Sequence, residues 1–289
     1  FREMDLSKNF LKFIKKYLKP KIDFIALTAG PGLEPCLWTG INFAKALSFA
    51  WNIPLIPVNH VEGHMLSPWI FGQKIKFPAI SLVASGGHTQ IVLMANPKKY
   101  KILGQTRDDA AGECFDKVAR ILGLDYPGGP IVEKLAKEQI KFSKKFDIKL
   151  PRPMLNTNDF DFSFSGLKTA VLYDYKKRES GVRRSKSYVR EMCAETQNAI
   201  FDVLIKKTLN AAKQYNAKTI ILGGGVSASQ SLKEILNAKI KKEMPQTQFL
   251  APKKELSTDN GAMIAMTAFF YKDKNFVPED FVANSRIKL

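Results

Sequence analysis

Two glycine clusters, each directly after a short apolar run, constrain this chain more than any other feature. Ser85-Gly86-Gly87-His88-Thr89 follows Ala79–Ala84, and Gly223-Gly224-Gly225-Val226-Ser227 follows Lys218–Leu222. Short apolar runs rich in β-branched residues read as buried strands. Glycines at their ends let backbone N–H groups approach a phosphate or a base with no Cβ in the way. Two such loops, one early and one late in the same region, point to a nucleotide cleft in an α/β protein. Ser165-Gly166-Leu167-Lys168-Thr169 lacks the upstream glycine of a Walker A loop. No Gly-x-Gly-x-x-Gly follows a first strand either, which argues against a dinucleotide fold.

Hydrophobic periodicity fills in the rest. Leu6, Phe10, Phe13, Ile14, Tyr17 and Leu18 share one helical face, and Pro20 ends that run. Ile22–Leu27 reads as a strand, residues 38–50 as a helix and Pro54–Val58 as a second strand. That order is a βαβ unit and implies a parallel sheet. Ala79–Ala84 and Gln90–Ala95 flank the first glycine cluster as a hairpin. A helix is expected over 109–122, a turn over Asp125–Pro130, and an irregular, partly helical insertion over about 131–190. A long helix over 191–214, the strand Lys218–Leu222 and a helix over 260–271 follow. With 289 residues there is enough chain for two lobes. The expected lobes are 1–78 with 260–289, and 79–259.

Charge is the loudest compositional signal. Lys and Arg number 45 against 27 Asp and Glu, a net charge of +18. Residues 134–190 hold 15 basic and 6 acidic residues, half of that excess. A localised basic surface favours phosphate backbones, although lysines that merely solvate helix faces explain the same count. Cys36, Cys114 and Cys193 are scattered and form no Cys-x-x-Cys pair. They read as reduced thiols of a cytoplasmic protein. No apolar run approaches the roughly 20 residues of a membrane span.

His60 and His64 sit in Asn59-His60-Val61-Glu62-Gly63-His64. On a helix this i, i+4 spacing puts both imidazoles on one face, as a metal site requires; two ordinary helix histidines would show the same spacing. Glu62 lies about 200° around such a helix from His60, so a zincin-type protease is disfavoured. Asp116 reads first as a helix-surface carboxylate paired with Lys117. Thr258 or Asp259 reads first as an N-cap, yet a carboxylate there could also complete a two-His-plus-acid set.

Eight segments, in order along nearly the whole chain, resemble one family. They are Thr28–Leu33 (TAGPGL), Asn59–His64 (NHVEGH), Ser85–Gln90 (SGGHTQ), Asp109–Lys117 (DAAGECFDK), Asp125–Pro130 (DYPGGP), Phe164–Ala170 (FSGLKTA), Gly223–Ala228 (GGGVSA) and Thr258–Ala265 (TDNGAMIA). Together they are similar to the tRNA N6-adenosine threonylcarbamoyltransferases, and the Ser-Gly-Leu-Lys-Thr form is similar to bacterial and mitochondrial members. The resemblance implies an actin-like ATPase fold, two lobes with a cleft between them and a helical insertion in the second. It implies an acyltransferase that moves a threonylcarbamoyl group from threonylcarbamoyl-adenylate to the exocyclic amine of the adenosine at tRNA position 37, beside the anticodon. His60, His64 and Asp259 would hold one divalent metal, iron or zinc. Val83, Ala84, Ser85, Gly86, Gly87, Asp116, Gly129, Glu133 and Ser229 would bind the adenylate.

The basic segment Lys176, Lys177, Arg178, Arg183, Arg184, Lys186 and Arg190 would contact the tRNA backbone. The partners implied are a paralogous actin-like subunit and a small ATPase subunit. Ser229, Gln230 and Pro35 depart from the family's usual Asn, Arg and Gly. The family's opening Gly-Ile-Glu-Thr-Ser-Cys-Asp-Glu-Thr loop has no counterpart here, so the catalytic carboxylate is expected in a segment preceding residue 1. Two rival readings share the fold. An actin-like sugar or acyl kinase would not need both histidines, and an inactive truncated scaffold subunit would only pair with a partner.

Overall fold

A computed structural model describes residues 8–9, 12–13, 16, 20–143, 145–274, 276, 281–285, 287 and 289. Most of the helix expected over residues 6–18 lies outside them. The chain forms two compact units, residues 1–63 with 264–288, and residues 64–263 with 289.

The first unit holds β1 (Ile25–Gly30), α1 (Glu34–Trp51) and β2 (Leu55–Asn59). The two strands are parallel, with Ile25 opposite Leu55 and Thr28 opposite Val58, as the βαβ pattern requires. Helix α1 begins ahead of the expected residue 38. Pro35 occupies its first turn, where a missing N–H costs no intrahelical bond. It ends at Asn52, whose φ of 49° is left-handed and whose N–H returns to the Ser48 carbonyl, a common helix stop. Leu37, Ile41 and Ala44 turn inward and pack with Leu27, Leu55 and Phe281. Burying each of the larger side chains stabilises by about 1.5–3 kcal/mol.

The second unit is built on a five-stranded sheet ordered β5-β4-β3-β6-β7. Its strands are β3 (Ala79–Ala84), β4 (Thr89–Asn96), β5 (Lys99–Gln105), β6 (Thr219–Gly223) and β7 (Gln248–Leu250). Strands β3 and β4 form the expected hairpin, with Ala84 opposite Thr89. Strands β3 and β6 are parallel, with Ile80 opposite Ile220, and every residue of both is buried. Central strands covered on both faces read as continuous apolar runs, which is why they were legible. Edge strands β5 and β7 carry Lys99, Lys101 and Gln248 among their few residues and escape the sequence reading.

Helices α2 (His60–Leu66), α3 (Ala111–Ile121), α4 (Gly128–Gln139), α5 (Ser165–Lys177), the short α6 (Ser180–Arg183), α7 (Lys186–Gln214), α8 (Gln230–Glu243) and α9 (Gly261–Phe269) are the remaining described α-helices, beside three 3-10 turns at Ser67–Phe71, Gly225–Ala228 and Lys254–Leu256. Helix α7 is the spine of the second core. Its Ala199, Ile200, Val203 and Leu204 are fully buried among Ile80, Leu82, Phe115 and Val132. It starts ahead of residue 191 because the Ser185 hydroxyl accepts the Tyr188 N–H at 3.3 Å, an N-cap. The expected insertion is about half helical, holding most of α4, all of α5 and α6 and the start of α7, and α4 already begins inside the expected Asp125–Pro130 turn. Carboxylates on α7 tie down its irregular part. Glu191 accepts the N–H groups of Lys145 and Phe146 at 2.8 and 3.2 Å, and Glu195 accepts that of Leu150 at 3.2 Å.

Candidate functional site

Strand β2 runs straight into α2, and Asn59 makes the junction. Its Oδ1 accepts the N–H of Val61 at 2.9 Å and of Glu62 at 3.4 Å, so the helix starts at His60. His60 and His64 are thereby one turn apart on one face. His64 is 2% exposed, and its Nε2 lies 3.2 Å from Oδ1 of Asp259. One nitrogen from each histidine and one Asp259 oxygen all fall within 4.8 Å of one another. The expected N-cap at Thr258 or Asp259 is not what forms: Asn260 caps α9, its Oδ1 accepting the Met263 N–H at 2.9 Å. That leaves the Asp259 carboxylate to meet His64. Two imidazole nitrogens and a carboxylate oxygen at this spacing fit the donor sets of zinc and non-haem iron. Glycine at 223 is required here, because a Cβ would stand 2.7 Å from the His64 carbonyl oxygen.

A cavity of about 1100 Å³ lies within the second unit. Of the residues expected to bind the adenylate, Gly86, Asp116, Gly129, Glu133 and Ser229 line it. Val83 and Ala84 are fully buried in β3, and Ser85 and Gly87 flank Gly86 in its loop. The Ser85 hydroxyl closes that loop by accepting the N–H groups of Gly87 and His88 at 3.3 and 3.0 Å. Asp116 is not paired with Lys117, which bonds Asp109 and Glu113 at 2.6 and 2.9 Å instead. One Asp116 oxygen accepts the Gly128 N–H at 2.8 Å. Burial pushes the Glu133 carboxyl up, but the Ser231 N–H and hydroxyl and the Lys137 ammonium together hold it below the usual carboxylate range. Ser229 caps α8 by accepting the Leu232 N–H at 3.2 Å.

Sequence reasoning missed the cavity's lysines. Lys134, Lys137 and Lys141 on and just beyond α4, with Lys233, Lys253 and Lys254, stand in its wall. The i, i+3, i+7 spacing of the first three was the available signal. Burial holds the Lys233 ammonium below the ordinary lysine range, against the opposing pull of Glu255. Thr258 also lines this cavity, so the wall ends one residue from Asp259.

The basic segment divides in two. Lys176, Lys177, Arg184 and Lys186 are exposed. Arg178 is paired with Asp174 at 3.0 Å, while Arg183 stacks over Tyr175 at 5.2 Å and Arg190 over Phe142 at 4.1 Å. Among the described residues no helix is long and apolar enough to cross a membrane.

A family model described as tRNA N6-adenosine threonylcarbamoyltransferase (TsaD) matches residues 4–266. A protein of that name from Syntrophomonas wolfei is 45% identical over 258 residues, which span 89% of this chain and 74% of the relative. One from Geobacillus thermodenitrificans is 44% identical over 255 residues, 88% of this chain and 72% of the relative. Among solved structures, full-length HypF in its phosphate- and nucleotide-bound form superimposes with a TM-score of 0.63 at 14% identity. The match covers 93% of this chain and 49% of that one. T. kodakarensis HypF gives 0.61 at 13% identity, over 93% of this chain and 43% of that one. At that identity the likeness concerns the fold alone, an α/β fold shared with those two structures.

Proposed function

The chain belongs to the tRNA N6-adenosine threonylcarbamoyltransferase family, a family of acyltransferases, and from that premise we propose the reaction in detail. The protein moves a threonylcarbamoyl group from threonylcarbamoyl-adenylate onto the exocyclic amine of the adenosine at tRNA position 37. The observation that carries this reading is the His60, His64 and Asp259 donor set, whose last member adjoins the cavity residue Thr258.

Iron or zinc held by these three residues would supply Lewis-acid polarisation of the threonylcarbamoyl carbonyl. The rest falls to the chain's own groups. The backbone at Gly86 and Gly225, both in the cavity wall and both with open space where a Cβ would stand, receives the phosphate. Lys134, Lys137 and Lys233 offset its negative charge. Asp116 and Glu133 accept the ribose hydroxyls as carboxylates. The adenosine amine forms its bond to the carbamoyl carbon as the bond to the phosphate oxygen breaks, and the proton the amine loses passes to solvent or to the departing phosphate. AMP leaves as a stabilised anion from a mixed anhydride and needs little acid assistance, so holding the two reactants in place is the main task.

The exposed Lys176, Lys177, Arg184 and Lys186 hold the tRNA backbone. The protein works in the cytoplasm with a paralogous actin-like subunit and a small ATPase subunit. The test supplies the purified protein and its co-purifying subunits with unmodified tRNA and threonylcarbamoyl-adenylate, then cleaves the tRNA with a base-specific ribonuclease and reads the anticodon-loop fragment by mass spectrometry. Threonylcarbamoyladenosine at position 37, lost in His60→Ala, is the expected result. Unmodified adenosine in every metal-loaded reaction would overturn it.

A further inference from the structure

Glu62 faces away from the two histidines on α2, about 200° around the helix from His60, and metal binding does not account for it. Its side chain is nonetheless buried, at 5% exposure, and a buried carboxylate is costly unless hydrogen bonds satisfy it. The Tyr271 hydroxyl donates to its Oε1. Tyr271 lies two residues beyond the end of α9, the helix that Asp259 precedes. One short stretch of chain therefore touches α2 twice, through Asp259 at His64 and through Tyr271 at Glu62.

We propose that Glu62 and Tyr271 form a positioning pair that fixes the rotation of α2 and so aims His60 and His64 at the divalent ion. The proposal rests on the metal reading above. Helix α2 has only seven residues, too few to hold its own orientation by helix propagation. Asn59 fixes where it starts, but a cap alone leaves a short helix free to roll. A roll of about 20° moves a side-chain tip at the helix periphery by about 2 Å. Metal–ligand distances tolerate only about 0.2 Å. A buried hydrogen bond on the face opposite the ligands opposes that roll directly, as outer partners of metal ligands do elsewhere.

The metal-free protein is titrated with Zn2+ by chelator competition and with Co2+ by its visible spectrum. The variants are Tyr271→Phe, Glu62→Ala, their double, and Glu62→Gln. Tyr271→Phe and Glu62→Ala should each weaken Zn2+ binding about 10- to 100-fold and change the Co2+ spectrum. The double should be no weaker than Glu62→Ala, since both remove the same bond. Glu62→Gln keeps an acceptor oxygen and should stay within about threefold of the wild type. If Glu62→Ala fails to fold, Tyr271→Phe and Glu62→Gln decide alone. Wild-type Zn2+ affinity and Co2+ spectrum in Tyr271→Phe overturn the proposal, as do losses that add in the double. A wild-type chain that binds neither ion overturns the metal reading itself, a separate and recognisable failure.

Discussion

Glu133 on α4 accepts the backbone N–H of Ser231 at 2.9 Å, so one carboxylate of the cavity wall also holds the first turn of α8. Glu133→Ala should therefore cost about 1.5–3 kcal/mol of stability, the usual worth of a hydrogen bond to a charged group. The carboxyl is held below its ordinary 4.5 in the folded chain. Its stabilising effect is thus complete above pH 4.5 and fades as pH falls through the folded value. Urea melts of both proteins, at neutral pH and in acid, should show the gap narrowing in acid. A gap independent of pH removes the charge from the explanation.

The exposed member of the donor set gives the cleanest metal test. Asp259→Asn alters a side chain that is 74% exposed, so stability of the metal-free protein should stay within about 0.5 kcal/mol. Bound metal, measured by elemental analysis after dialysis, should fall well below one ion per chain. Full occupancy in this variant would remove Asp259 from the ligand set.

The divided basic segment predicts two different phenotypes. Neutralising Lys176, Lys177 and Lys186 should flatten the salt dependence of tRNA binding by up to about 2–3 units of slope and leave stability unchanged. Arg190→Gln should instead lower stability by about 0.5–1 kcal/mol, because its guanidinium covers Phe142. Filter binding at several salt concentrations and thermal melts separate the two. Equal slopes for the triple variant and the wild type would return the lysines to plain solvation.

Neighbouring glycines of the second cluster should differ sharply. Gly224 has φ +83°, and a Cβ there would lie 2.4 Å from the Ala84 carbonyl oxygen, whereas at Gly225 nothing stands within 4 Å. Gly224→Ala should cost about 1–3 kcal/mol. Gly225→Ala should be nearly neutral for stability while intruding on the cavity it lines. Denaturant melts read the first effect and adenylate binding the second. Equal stabilities of the two variants would contradict the close approach at Gly224.

Alkylation should find one thiol in the folded protein. Burial pushes the Cys114 and Cys193 thiols up to about 12, so almost no thiolate forms at neutral pH, while Cys36 is exposed. Mass spectrometry after brief iodoacetamide treatment should show a single adduct at Cys36, and three adducts after denaturation. Rapid native labelling of Cys193 would contradict its burial on the inward face of α7.

What was legible in the sequence were features with a local cause. Strands β3 and β6 announced themselves because both faces are covered, and the His60/His64 pair because helical spacing is a local property. Strands β5 and β7 stayed hidden because an edge strand can be polar and short. The Asn260 cap was missed because Thr258, Asp259 and Asn260 are all good caps, and only the tertiary contact with His64 selects among them. The Glu133–Ser231 bond and the Asp116–Gly128 bond escaped for the same reason, since no local pattern records which distant N–H a carboxylate will find. Lys134, Lys137 and Lys141 of the cavity wall were counted as charge but could not be located, because α4 fell in a stretch read as an irregular, partly helical insertion.

The parallel pairing of β3 with β6 also sets a timetable for the newborn chain. Ile80 meets Ile220, so the centre of the sheet must wait while roughly 140 residues are translated, about 7–28 s at ordinary rates. Throughout that interval the β3–β4 hairpin offers the ribosome's surroundings an open, largely apolar strand edge. A chain whose final sheet is well covered is therefore most vulnerable before it is finished, and slowing translation between α3 and α7 should lengthen that exposure in proportion.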